Sequence, residues 1–109
     1  MVAVVGEALA RLAPAELSHN RAVAGFATNR RVFRRSTNAY HMLPNMEGPA
    51  DHDVPVLRVT GTDGKVRAIM FGYACHNTAA NFYTINGDYA GFAMKYLEQA
   101  HPGAVAVFK

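Results

Sequence analysis

Residues 65–74, KVRAIMFGYA, contain no charge from Ala68 to Ala74. A strand that is apolar on both faces belongs in the middle of a sheet with cover above and below it. Its partner is legible immediately upstream. VPVLRVT (54–60) is β-branched and alternates, with Val54, Val56 and Arg58 on one face and Leu57 and Val59 on the other. Gly61-Thr62-Asp63-Gly64 between the two runs carries the Asp-Gly signal of a hairpin turn. The spacing predicts an antiparallel hairpin over 54–74.

Downstream, Asp88 is a suitable N-cap, and Tyr89 to Ala100 places Phe92, Ala93, Tyr96, Leu97 and Ala100 on one helical face. His101-Pro102-Gly103 stops that helix, and AVAVF (104–108) reads as a second buried strand. Strand, helix, strand implies a right-handed βαβ unit with parallel strands. The predicted fold class is therefore α/β: a mixed sheet built from a β-hairpin followed by a βαβ unit, with helices covering the sheet. At 109 residues the chain is one domain at most. A last strand that stops at Lys109 without a return reads as cut, so 1–109 is expected to be a single partial domain.

The N-terminal stretch MVAVVGEALARLAPAEL spaces Val4, Ala8, Leu9 and Leu12 as an amphipathic helix ending near Pro14. It lacks a basic leading region, and Glu7 and Arg11 interrupt its apolar run, which argues against a signal peptide in this chain. Ala22 to Thr28 alternates weakly and reads as a short strand running into Asn29-Arg30-Arg31. Residues 34–53 are turn-rich and read as a long surface excursion, a length that is uncommon unless functional or covered.

Composition narrows the function classes. Half the residues are hydrophobic and 17% are charged, which excludes disorder, while the apolar runs fall short of the roughly 20 residues of a membrane helix. The formal charge is +3, with Arg30, Arg31, Arg34 and Arg35 clustered. That cluster suits phosphate, nucleic acid or simply a solvated loop. Stacking aromatics at regular spacing are missing around it, so nucleic acid is not an expected partner. A lone cysteine, Cys75, leaves no intramolecular disulfide.

In a βαβ unit the end of the first strand and the start of the helix share one sheet edge, where ligand sites of open α/β sheets lie. His76 falls at that strand end and Asp88 at that helix start. The eleven residues between them, 77–87, exceed the usual two to six. His76 has the chemistry of a metal ligand, a general base or a hydrogen-bonded core histidine. Asp88 has that of a plain cap or of a carboxylate orienting His76 or a water. Adjacent strand positions would point Cys75 and His76 to opposite faces, leaving Cys75 a small buried apolar residue and no nucleophilic pair. Asp51-His52-Asp53 flanks a histidine with carboxylates, but alternation sends His52 away from both.

Four ordered segments resemble the neutral/alkaline ceramidase family: Gly72-Tyr73-Ala74-Cys75-His76-Asn77-Thr78, Asn86-Gly87-Asp88-Tyr89-Ala90-Gly91-Phe92-Ala93, Asn29-Arg30 with Arg31, and Asp53-Val54-Pro55-Val56-Leu57-Arg58-Val59. The resemblance covers roughly residues 20–109. It departs where the family has Pro-Thr-Ser after the histidine and this chain has Asn77-Thr78-Ala79. It departs again where the family has Ser-Pro after Asn-Arg and this chain has Arg31-Val32. The resemblance implies a zinc-dependent hydrolase of N-acyl amides acting on a lipid amide. His76 would be one zinc ligand, and the others would lie in the remainder of a longer catalytic domain. It implies Arg30 and Asp88 as catalytic groups and Asn29, Asn77 and Thr78 as substrate contacts. It also implies a secreted, periplasmic or membrane-associated protein. The competing expectation is a small α/β binding module in which His76 is structural.

Overall fold

The computed structural model describes residues 2–80 and 83–109. Eight elements follow one another: α1 (Val2–Ala10), β1 (Ala15–Val23), β2 (Val32–Arg34), β3 (Ala39–His41), β4 (Asp53–Gly61), β5 (Val66–Phe71), α2 (Asp88–Ala100) and β6 (Val105–Phe108). Four strands form a mixed sheet in the order β1-β4-β5-β6, and β2 and β3 form a separate two-stranded sheet. β1 and β5 flank β4 antiparallel, and β6 runs parallel to β5. The α/β class, the hairpin and the strand–helix–strand unit expected from the sequence are all present.

The hairpin forms where the turn chemistry demands it. Gly64 sits at φ 75°, a left-handed conformation that glycine adopts without steric cost, and its amide donates to Gly61 O at 2.9 Å. The Asp63 carboxylate accepts the Lys65 amide and pairs with Arg67 at 2.8 Å across the turn. α2 ends as anticipated, with the His101 amide on Leu97 O and Gly103 at φ 88°.

Several boundaries differ from expectation. Of the strand expected at Ala22–Thr28 only Ala22 and Val23 are in a strand, as the end of the nine-residue β1, and residues 24–28 have left the sheet. β1 pairs along its whole length with β4 from Ala15↔Gly61 to Val23↔Asp53. The excursion over 34–53 contains most of a small hairpin, with Phe33 and Tyr40 rings 5.2 Å apart and Asn38 at positive φ. β5 ends at Phe71, so residues 72–80 leave the sheet before His76 is reached.

The face of α2 that meets the sheet is also rotated from the one expected. Ala90 is buried and Ala93, Met94 and Leu97 half-buried, an i, i+3, i+4, i+7 stripe. Phe92 and Tyr96 are exposed. The helix lies on the sheet face that carries Ile69, Phe71, Ala106 and Phe108, and Glu98 near its end accepts the Ala106 amide. α1 buries none of its residues. The radius of gyration, 18.6 Å, exceeds the roughly 13 Å of a compact chain of this length, as such unpacked surface requires.

Candidate active site

Beyond β5 the backbone makes two tight turns in succession: the Cys75 amide donates to Tyr73 O at 2.7 Å and the Thr78 amide to His76 O at 2.9 Å. The second turn sets His76 and Thr78 on either side of Asn77. Leaving the strand abolishes the alternation that was expected to separate Cys75 from His76. The Cys75 thiol, half-buried, donates to His76 O at 3.6 Å rather than to an imidazole nitrogen.

Three aromatic rings fix this segment. Phe26 packs between Tyr73 and Tyr89, with centroids 4.7 and 5.1 Å away. Tyr73 Oη donates to Ala24 O (2.5 Å) and accepts the Ala27 amide (2.9 Å), tying the strand exit to residues 24–27. Tyr89 Oη donates to Cys75 O at 2.5 Å, directly before His76. Burial, and then the neighbouring Cys75, pushes the Tyr89 phenol above its ordinary value, so it stays protonated as that donor. None of these positioning roles was read from the sequence. The signal available was one tyrosine inside each of two recognised segments, Tyr73 and Tyr89, and Phe26 just ahead of a third.

A second latch places the arginines. Asn29 Nδ2 donates to Pro49 O, Asn29 Oδ1 accepts the Arg31 amide, and Asn45 Nδ2 donates to Arg31 O, each at 2.9 Å. Gly48 closes it: a Cβ there would stand 2.7 Å from Asn29 Cγ and from Asn45 Nδ2. The long excursion is thus bolted to the Asn29-Arg30-Arg31 segment.

Together these elements enclose a cleft of about 470 Å³ lined by Phe26, Ala27, Thr28, Arg30, Arg31, Met42, Ala74, Cys75, His76, Thr78 and Ala79. Of the expected site residues, Arg30, His76 and Thr78 meet there. Asn29, Asn77 and Asp88 do not line it. Another hollow of about 560 Å³, bounded by Pro55, Leu57, Met70 and Gly72, opens beside β4 and β5. It gathers none of the expected residues.

Asp88 is the first residue of α2 rather than its cap; Gly87 occupies the cap position with no side-chain cap bond. The carboxylate of Asp88 is buried and accepts the Ala80 amide at 2.8 Å and the Tyr89 amide at 2.6 Å. Those amides, Ala80 first, hold its pKa below the ordinary carboxylate value. Its φ of 53° is a left-handed conformation that aspartate tolerates better than most residues. The preceding glycine is sterically required, since a Cβ on Gly87 would stand 2.8 Å from Gly91 Cα. Asn86, Gly87, Asp88 and Gly91 therefore form a geometric unit that returns the loop to the sheet.

His52 Nδ1 lies 3.2 Å from Ala24 O, the Asp51 carboxylate accepts the Asp53 amide, and Asp53 pairs with Arg21 at 2.8 Å. That triplet anchors the ends of β1 and β4. Among the described residues no three His, Cys, Asp or Glu side chains come together as metal ligands. A catalytic zinc takes about three protein ligands, and the cleft offers two residues of ligand type, His76 and Cys75, the latter with its thiol on His76 O. These residues alone do not fit the metal. No helix among them is long and apolar enough to cross a membrane.

No family model and no curated protein matches the sequence. Among solved structures, the fold is similar to the crystal structure of neutral ceramidase from Pseudomonas aeruginosa, with a TM-score of 0.68 at 21% identity. The match covers 98% of this chain and 18% of that one, so the chain spans less than a fifth of that protein's length. At this identity the likeness is one of fold.

Proposed function

We propose that these residues form part of the active site of a hydrolase of N-acyl amides, ceramidase-like in the bond it cleaves. The observation that carries the reading is the meeting of Arg30, His76 and Thr78, remote in sequence, in one partly apolar cleft of a fold shared with a ceramidase. His76 would supply one ligand to a zinc ion, with the others outside these 109 residues, and the metal would supply an activated water.

This chain's own residues do the rest. The Arg30 guanidinium presents a fixed fork of donors to the amide carbonyl oxygen, where negative charge develops during attack. The Thr78 hydroxyl orients the amide, with Asn77 exposed beside it at the tip of the turn. Phe26 and Met42 offer apolar wall to the acyl chain. Asn29 serves by holding Arg30 and Arg31 in place, and Asp88 by holding the 77–80 turn against α2.

The test uses the full polypeptide that contains these residues, assayed for metal content and for release of fatty acid from N-acyl amides. His76→Ala is expected to lose zinc and lower the rate by well over the roughly 100-fold ceiling of outer-shell changes. His52→Ala and His101→Ala are expected to retain both. Stoichiometric zinc and an undiminished rate in His76→Ala overturn the reading.

A further inference from the structure

We infer that the cleft selects amides whose amine half carries an anion, a carboxylate or a phosphate, with Arg31 as the residue that recognises it. The inference rests on the amidase reading of the same cleft and adds the charge of the substrate to it.

Arg30 and Arg31 line the cleft and, among the described residues, no Asp or Glu does. Among the described residues neither arginine takes part in an ion pair. Arg31 is also held in place. Its amide and its carbonyl are both engaged by the asparagine latch, and its Nη1 donates to Arg30 O at 3.3 Å. A guanidinium has five N–H donors, so that single bond leaves most of the fork free for an anion. Bidentate pairing with a carboxylate or phosphate is the interaction this geometry serves best.

One arginine is enough to face a carbonyl oxygen, and a neutral amide would leave the second, exposed guanidinium to water alone. The apolar wall of Phe26, Ala27 and Met42 lies against the same space. The cleft therefore suits an acyl chain at one side and an anionic head at the other. Water adds across the C–N bond, the acyl half leaves as a fatty acid, and the departing amine keeps the anion.

The experiment compares N-decanoylglycine, N-decanoyl phosphoethanolamine and neutral N-decanoylethanolamine as substrates of the full polypeptide. The anionic amides are expected to exceed the neutral one in kcat/KM by about 10-fold or more. Arg31→Ala is expected to lower kcat/KM for the anionic amides by about 10- to 100-fold, the scale of one charge-assisted hydrogen-bond pair, and to leave the neutral amide unchanged. The ratio between carboxylate and phosphate identifies which head is native. Arg34→Ala, outside the cleft, is expected to change neither. Equal turnover of neutral and anionic amides, or an equal loss on both in Arg31→Ala, overturns the inference. Should no amide be hydrolysed, the amidase reading fails and binding decides. Intact N-decanoylglycine bound about 10-fold more weakly by Arg31→Ala keeps the anion site, and equal affinity removes it.

Discussion

Met70 and Phe71 are neighbours on one strand and similar in hydrophobicity, yet Met70 is 42% exposed and Phe71 only 8%. They belong to opposite faces of the sheet. Phe71 lies on the face with Ile69, Ala106 and Phe108, where α2 packs and the Phe71 and Phe108 rings meet at 5.3 Å. Met70 lies on the other face with Leu57 and Val107, and there Leu17, Val105 and Val107 remain open. The sequence asks for cover on both sides of β5, and the chain itself provides it on one. Apolar side chains state a need for burial without naming what answers it.

Substitutions on the two faces should divide accordingly. Phe71→Ala removes a buried ring and leaves a cavity, so it is expected to cost about 3–5 kcal/mol. Met70→Ala in the 109-residue chain is expected to stay below about 1 kcal/mol. Urea unfolding of both variants measures the difference, and equal losses would break the comparison. Repeating the pair in the full polypeptide sharpens it. A Met70→Ala cost that rises to about 2–5 kcal/mol there reports that further polypeptide covers the open face.

The same division explains what could be read from the sequence. The hairpin around Gly61–Gly64 and the strand–helix–strand order were legible because turn chemistry and periodicity are local. β1 was misplaced because AELSHNRAV has no strict alternation; its strand character comes from pairing with β4, thirty residues and more away in the chain. The face of α2 was rotated because Phe92 and Tyr96 were counted as core by hydrophobicity, while the helix packs through smaller Ala90 and Ala93 and through Met94 and Leu97. For the candidate site, the segment bearing His76 stood out through the length of the loop that follows it and its place beyond the β5 strand. The clamp of Phe26, Tyr73 and Tyr89 and the asparagine latch were not, because their partners are backbone carbonyls and amides that no residue pattern encodes.

The clamp offers a smaller but more directed effect than the core. Tyr89→Phe keeps the ring against Phe26 and Phe108 and removes only the hydroxyl that meets Cys75 O. Leaving that carbonyl without its donor is expected to cost about 1–3 kcal/mol. Because Cys75 precedes His76, activity of the full polypeptide should fall further than stability alone explains. Matched denaturation and rate measurements separate the two. A stability loss with an unchanged rate would show that the Tyr89 bond holds the fold and not the histidine.

The smallest effect belongs to Asp88, and its sign depends on pH. Its pKa is held below the ordinary carboxylate value by the Ala80 and Tyr89 amides. A group depressed in this way adds stability above its unfolded pKa of about 3.9 and loses it as pH falls through the lower folded value. Asp88→Asn keeps the shape and removes the charge that those amides favour. The variant is therefore expected to melt below the wild type at pH 7, with the gap shrinking as the pH drops below about 4, where the carboxylate of the unfolded wild type begins to protonate while the folded one still resists. Melting curves at pH 7, 4 and 3 test this. A gap that stays constant across the three would assign the loss to shape or to the strained φ of residue 88. The charge holding the 77–80 turn to α2 would then have no part in it.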